Sequence, residues 1–163
     1  MRNAYLAAAK AAHPDSARDG GTAFAALRDA YETLRDPSLR LKELAGRVPF
    51  PSPAAPASAE LFMEVAPLIS EARKGMAAGT TSIGRAAAAA TASKIRPQLD
   101  RVIAKLQTHK AALDARTAAL DARWPDVKPD ELLGLAGEYT FCKRWLESAE
   151  EAAFQLGTQT GMP

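Results

Sequence analysis

Cysteine and aromatic residues are scarce in this sequence of 163 residues, and neither sign of charge is in large excess. The one cysteine, Cys142, can form neither an internal disulfide nor a cysteine-cluster metal site. This use of cysteine fits a reducing, cytoplasmic compartment. The net charge is +2 with both signs interspersed, so we expect neither nucleic acid nor a membrane surface as a partner.

Long apolar runs and strand patterns are also missing. No stretch reaches the ~18 apolar residues typical of a membrane span, and Lys10 interrupts the N-terminal alanine run, which argues against a signal peptide. Alternating β-branched and aromatic residues, which are typical of strands, are almost absent. The alanine-rich composition therefore predicts an all-α protein.

The residue sets that form active sites are missing as well. His13 and His109 are the only histidines, and the sequence shows no nucleophile, base and orienting acid of the hydrolase type. Gly20-Gly21 lacks the Lys-Ser/Thr pair that follows the glycine of a phosphate-binding loop, and it lacks the strand that precedes such a loop. We predict that the chain is not an enzyme and that it has no metal site or cofactor.

The N-terminal part of the chain is organised around the tripeptide His13-Pro14-Asp15. Residues 2–12 are predicted to form a helix, which should stop at His13 because Pro14 disfavours the α conformation in the residue before it. A polar loop over 16–22 and a second helix over 23–35 follow. The apolar residues of this second helix share one face and are predicted to pack against the first helix: Phe24, Leu27, Tyr31 and Leu34.

This arrangement resembles the J domain of DnaJ-type co-chaperones. Residues 5–15 resemble the family's second helix running into its tripeptide, and Asp36-Pro37 followed by Arg40 resembles the D-P-x-x-R start of its fourth helix, here predicted over 38–45 with Gly46 as C-cap. The spacing F-x-x-L-x-x-A-Y-x-x-L of the family's third helix is matched by Phe24, Leu27, Ala30, Tyr31 and Leu34. The resemblance implies that His13-Pro14-Asp15 docks on an ATP-bound DnaK-type chaperone and accelerates its ATP hydrolysis.

The resemblance also implies a basic docking face, which is small here. Arg2 and Lys10 are the only charged residues of the first predicted helix, and Arg18 in the loop adds to them. J domains have a further helix before this one, whereas the sequence begins at the second. We expect either a reading frame that begins further upstream or a shortened J domain over 1–46, whose inner face the C-terminal helices would cover.

Prolines separate this region from the rest of the chain. Residues 47–58 contain Pro49, Pro51, Pro53 and Pro56, which favour extended polyproline conformation. We predict a linker there rather than a proline-rich ligand for another domain. The second domain is then predicted over 59–156, and 157–163 form a frayed tail.

The second domain is predicted to be a helical hairpin or three-helix bundle. A helix over 59–76 contains Pro67, and a long helix over 83–123 contains Pro97, which should bend it. The long helix has a heptad-like apolar stripe: Ile95, Leu99, Val102, Leu106, Leu113, Leu120 and Trp124. His109 falls on this stripe and is interpreted as a core or edge residue whose hydrogen bonds are satisfied, rather than as a metal ligand. A last helix from Pro129 should run antiparallel to the long one, with its own stripe: Leu132, Leu135, Tyr139, Cys142, Leu146, Ala149, Ala153 and Leu156.

A J domain joined to such a bundle is similar to the HscB-type co-chaperone of iron–sulfur cluster assembly. Residues 60–65 resemble the F-L-M-E segment that opens that family's C-terminal domain, and residues 139–146 resemble its last helix. The resemblance implies that Phe62, Met63 and Phe141 bind a client, which would be an iron–sulfur scaffold protein. Pro67 and Ser70 stand where the family has acidic residues.

Two alternatives remain open at this point. The chain could be a degenerate J-like helical module that serves only in protein interaction and does not stimulate a chaperone. It could also be a coiled-coil-type oligomer built on the long C-terminal helices.

Overall fold

The computed structural model describes residues 2–13, 22–46, 59–77 and 81–160. These residues form six helices and no strand, which confirms the all-α prediction. Within the described residues, no helix is long and apolar enough to cross a membrane. The helices are α1 (Arg2–Ala11), α2 (Thr22–Arg35), α3 (Pro37–Leu44), α4 (Ala59–Ala77), α5 (Ser82–Asp121) and α6 (Pro129–Thr160).

The chain is divided into two compact units. Unit 1 consists of Met1–Phe50 and Lys128–Ala136, and unit 2 consists of Pro51–Val127 and Gly137–Pro163. The predicted linker, 47–58, lies outside the described residues. The sequence interpretation placed 128–136 in the C-terminal domain, whereas the structure groups this segment with the N-terminal helices.

Local signals in unit 1 set the ends of α3. The Asp36 carboxylate accepts hydrogen bonds from the backbone N–H groups of Ser38 (2.9 Å) and Leu39 (3.4 Å), so Asp36 is the N-cap. Pro37 occupies the first helical position, which suits a residue without an N–H. Gly46 follows the helix with φ +73°, the left-handed conformation expected of a C-terminal glycine.

The α1–α2 pair is only partly buried. The rings of Tyr5 and Tyr31 stack with their centroids 4.0 Å apart, and Phe24, Leu27 and Tyr31 are half-buried. Leu34 is 47% exposed, so the prediction that it is buried against the first helix with the other three residues was wrong. No side chain of α1 or α2, which are described along their whole length, is fully buried. The buried apolar residues of unit 1 come from α3, its C-cap residue and the start of α6: Leu41, Ala45, Leu132, Leu133, Leu135 and Ala136.

Unit 2 is a bundle of α4, α5 and the larger part of α6. Arg96 Nη1 donates to the carbonyl of Ala153, and Cys142 Sγ donates to the carbonyl of Leu106, so α6 runs antiparallel to α5 as predicted. Pro67 and Pro97 lie inside α4 and α5, which continue through them. The core of this unit comprises Val65, Ile69, Ala72, Ala92, Ile95, Leu99, Val102, Leu106, Ala149, Ala152, Ala153 and Leu156.

Two details of the predicted C-terminal helices were wrong. Trp124 is 54% exposed because α5 ends at Asp121 and the helical phase of the stripe no longer applies beyond it. The last helix does not end near Leu156 but continues to Thr160, with Gly157 buried and Thr158 Oγ1 donating to the carbonyl of Gln155. Residues 161–163 of the predicted tail lie outside the described residues.

Candidate partner-binding surfaces

His13 lies just beyond the C-terminal end of α1 and is exposed. Its ring approaches the ring of Phe24 edge-on, with centroids 6.0 Å apart. The stack of Tyr5 on Tyr31 lies about two helical turns away on both helices. These two ring contacts hold α1 antiparallel to α2 and keep the His13 imidazole at one end of the hairpin.

The other residues predicted to engage the chaperone are only partly described. Lys10 is exposed in the last turn of α1, close in sequence to His13. Pro14, Asp15 and Arg18 lie outside the described residues. The structure therefore places two of the five predicted chaperone-binding residues, and both are accessible to a partner.

Three aromatic side chains form a second candidate surface on unit 2, which we call the aromatic cluster: Phe62 of α4 with Phe141 and Trp145 of α6. The Phe62 and Trp145 rings meet edge-on with centroids 5.1 Å apart, and the Phe141 and Trp145 centroids are 6.1 Å apart. Two of the predicted client-binding residues are thus brought together by Trp145. The third, Met63, is 70% exposed on α4.

Trp145 is the residue of this surface that sequence reasoning missed. It follows Phe141 by one helical turn, so the two share a face of α6, and this i, i+4 spacing is the signal that could have identified it. Trp145 packs partly against the core of unit 2. Its indole therefore has a fixed position from which it contacts Phe62.

A groove of about 390 Å³ continues from the aromatic cluster along α4. The guanidinium carbon of Arg144 lies 5.8 Å from the centroid of a Trp145 ring, within cation–π distance. The groove combines an apolar floor with cationic side chains and is lined by Ala66, Ile69, Ser70, Arg73, Lys74 and Trp145.

The polar contacts between α5 and α6 are structural. Tyr139 Oη donates to Asp114 Oδ1 at 2.7 Å and lies 3.0 Å from Thr117 Oγ1. The pKa of Asp114 is lowered, mainly because its carboxylate accepts the hydrogen bond from Tyr139. Burial raises the pKa of the Cys142 thiol, so this cysteine is poorly suited to act as a nucleophile.

His109 lies at the edge of the core, as its position on the stripe predicted, but the expectation that its hydrogen bonds are satisfied was wrong for Nε2. Its Nε2 is 3.8 Å from Glu138 Oε2, and Arg116 Nη1 is 2.8 Å from Glu138 Oε1. His109 Nε2 and Glu138 Oε2 are buried and have no hydrogen-bond partner. Among the described residues, no group of three or more His, Cys, Asp or Glu side chains could hold a metal ion.

Comparison with known proteins leaves the family of this chain open. No family model, no curated protein and no solved structure matches it. Function is therefore inferred from the residues and their geometry.

Proposed function

We propose that this protein is a J-type co-chaperone that stimulates the ATPase of a DnaK-type chaperone through His13-Pro14-Asp15. The observation that carries the proposal is the exposed His13 at the end of α1, packed edge-on against Phe24 of α2. In the sequence, Pro14 and Asp15 follow directly. A docking residue needs both properties, because it must be accessible to the partner and must keep one orientation.

The two units have different roles in the proposed function. Unit 1 engages the chaperone, and unit 2 delivers a client through Phe62, Met63 and Phe141. ATP is hydrolysed on the chaperone, and this chain contributes by binding one chaperone state more tightly than the other, which shifts the equilibrium between the states. A narrower form of the proposal makes the client an iron–sulfur scaffold protein. The support for it is the resemblance of residues 60–65 and 139–146 to the HscB type.

Steady-state ATPase of the cognate DnaK-type chaperone tests this function. The full chain should stimulate turnover, and His13→Gln should remove the stimulation because it replaces the imidazole at the docking end of the hairpin. Arg101→Gln, at an exposed position of α5 in unit 2, is the control and should stimulate like the parent. Equal stimulation by the parent and His13→Gln, or none by the parent, would contradict the proposal.

The second candidate function is a J-like helical module that binds proteins without stimulating a chaperone. It is favoured by the low charge of α1, in which Arg2 and Lys10 are the only basic residues. Under this alternative the parent leaves the chaperone ATPase unchanged, while unit 2 still binds a client. The ATPase measurement therefore separates the two candidates.

A further inference from the structure

We infer that the groove beside the aromatic cluster binds an acidic segment of the client that carries large apolar side chains. This inference rests on the proposed function, because it specifies the chemistry of the client that unit 2 delivers. An acidic client is not what the family resemblance implies. The family has acidic residues where this chain has Pro67 and Ser70.

The apolar part of the groove would anchor the client. Phe62 is 39% exposed although it touches Trp145, so its ring has an accessible face next to the indole. The half-buried Ala66 continues the apolar lining along α4, and the core residue Ile69, 4% exposed, lies at the floor of the groove. Accessible aromatic rings next to arginine side chains are typical of the residues that dominate binding energy at protein interfaces.

The charges of the groove are positive. Arg73 and Lys74 line it, Arg144 lies over Trp145, and no acidic residue is among the described residues that line it. Within the described part of the chain, none of these three cations has a carboxylate within ion-pair distance. Their charge is therefore available to an acidic partner.

The acidic residues of α4 lie away from the groove because the turn of the helix places them on another side, where two of them pair with lysines of α5. Lys105 Nζ donates to both carboxylate oxygens of Glu64, at 2.6 and 2.8 Å, and Lys94 Nζ donates to Glu71 Oε1 at 3.2 Å. Two of the acidic residues of α4 are thus directed to lysines of α5. The remaining one, Glu60, lies in the first turn of α4 and does not line the groove.

Fluorescence anisotropy with two labelled peptides tests the inference on the full chain. One probe is a helical peptide with leucine and phenylalanine on one face and glutamate on the other, and the second has every glutamate replaced by lysine. The glutamate peptide should bind at least ~10-fold more tightly at low salt, and its affinity should fall as salt is added because the contacts lie at the surface. In a Trp124→Phe background, Trp145 emission should change on binding.

Charge reversal supplies the matched variants. Arg73→Glu/Lys74→Glu changes two exposed side chains and should weaken the glutamate peptide by at least ~10-fold while the far-UV circular dichroism stays unchanged. Arg101→Glu adds a negative charge at an exposed position outside the groove and should bind like the parent. The inference is overturned if the lysine peptide binds as well, if neither peptide binds, or if the double variant keeps its affinity.

The peptide assay tests the acidic client, and the ATPase assay tests the co-chaperone function, so either proposal can be rejected without the other. The peptide assay contains no chaperone, so loss of charge selectivity with intact ATPase stimulation rejects only the acidic client. Selective peptide binding without ATPase stimulation rejects the co-chaperone function, and the groove then belongs to an interaction module.

Discussion

Replacing Gly75 by alanine tests the helix packing of unit 2. A Cβ atom at Gly75 would lie 2.7 Å from Thr91 Cγ2, closer than Cβ atoms approach other atoms in proteins, and 3.1 Å from Thr91 Cβ, which is a tight contact. Thr91 cannot easily move away, because a β-branched side chain in a helix has few rotamers and its hydroxyl donates to the carbonyl of Ala87 at 3.0 Å. The glycine therefore allows α4 and α5 to come close together.

Opposing contributions decide whether Gly75→Ala raises or lowers the free energy of unfolding. Alanine is favoured over glycine in a helix interior by ~1 kcal/mol. Overpacking typically costs ~1–3 kcal/mol, and a lost hydrogen bond adds ~1 kcal/mol. We expect Gly75→Ala to lower the free energy of unfolding by about 1–3 kcal/mol. Gly134→Ala is the matched control, because no described residue lies within 4 Å of its added Cβ, and it should raise this free energy by about 0.5–1 kcal/mol.

Urea unfolding followed by circular dichroism measures both changes. Thr91→Ala removes the Cγ2 atom, so the pair Gly75→Ala/Thr91→Ala should recover most of the loss, with a coupling of ~1 kcal/mol between the two sites. The reasoning is refuted if Gly75→Ala stabilises the chain as Gly134→Ala does, or if Thr91→Ala brings no recovery.

Other residues of unit 2 give three further predictions. Tyr139→Phe should lower the free energy of unfolding by ~1–2 kcal/mol in urea titrations, because it removes the 2.7 Å hydrogen bond to Asp114; an unchanged midpoint would contradict this. The folded-state pKa of Asp114 is lowered from its ordinary value of 3.8, so its ionised form stabilises the fold above that pH, and the contribution is lost as the pH falls through the folded value. Tyr139→Phe should flatten this acid dependence, and an unaltered pH profile of stability would exclude the assigned cause. The buried Cys142 thiol, with its raised pKa, should react with a chromogenic disulfide reagent only at the rate of unfolding, and fast labelling of the native chain would disprove its burial.

The helices and their buried faces were predictable because their signals are local. The apolar stripe of α5 from Ile95 to Leu113 is buried as the periodicity predicts. Most of the predicted apolar stripe of α6 is buried as well. Asp36 before Pro37 and Gly46 after Leu44 fix the ends of α3 through hydrogen bonds and φ angles that depend on neighbouring residues alone.

Features that depend on how helices meet were not predictable. Leu34 follows the apolar spacing of α2 and is still exposed, since spacing shows which residues share a face but not whether another element covers that face. The grouping of 128–136 with unit 1 has no sequence signal, because α6 has the same apolar pattern along its whole length. Trp145 belongs to the candidate site because α4 places the Phe62 ring beside it, with the two ring centroids 5.1 Å apart. The sequence does not show this contact between helices.

The charge of the candidate groove shows most clearly why sequence was not enough. Along the chain, α4 has three acidic residues against Arg73 and Lys74, so its composition predicts a slightly negative surface. Glu64 and Glu71 are seven residues apart and share one side of α4, where lysines of α5 pair with them. The opposite charge then remains on the groove, next to the aromatic cluster. The charge that a helix offers a partner therefore depends on which of its sides the neighbouring helices leave accessible, and the composition of the helix alone does not show this.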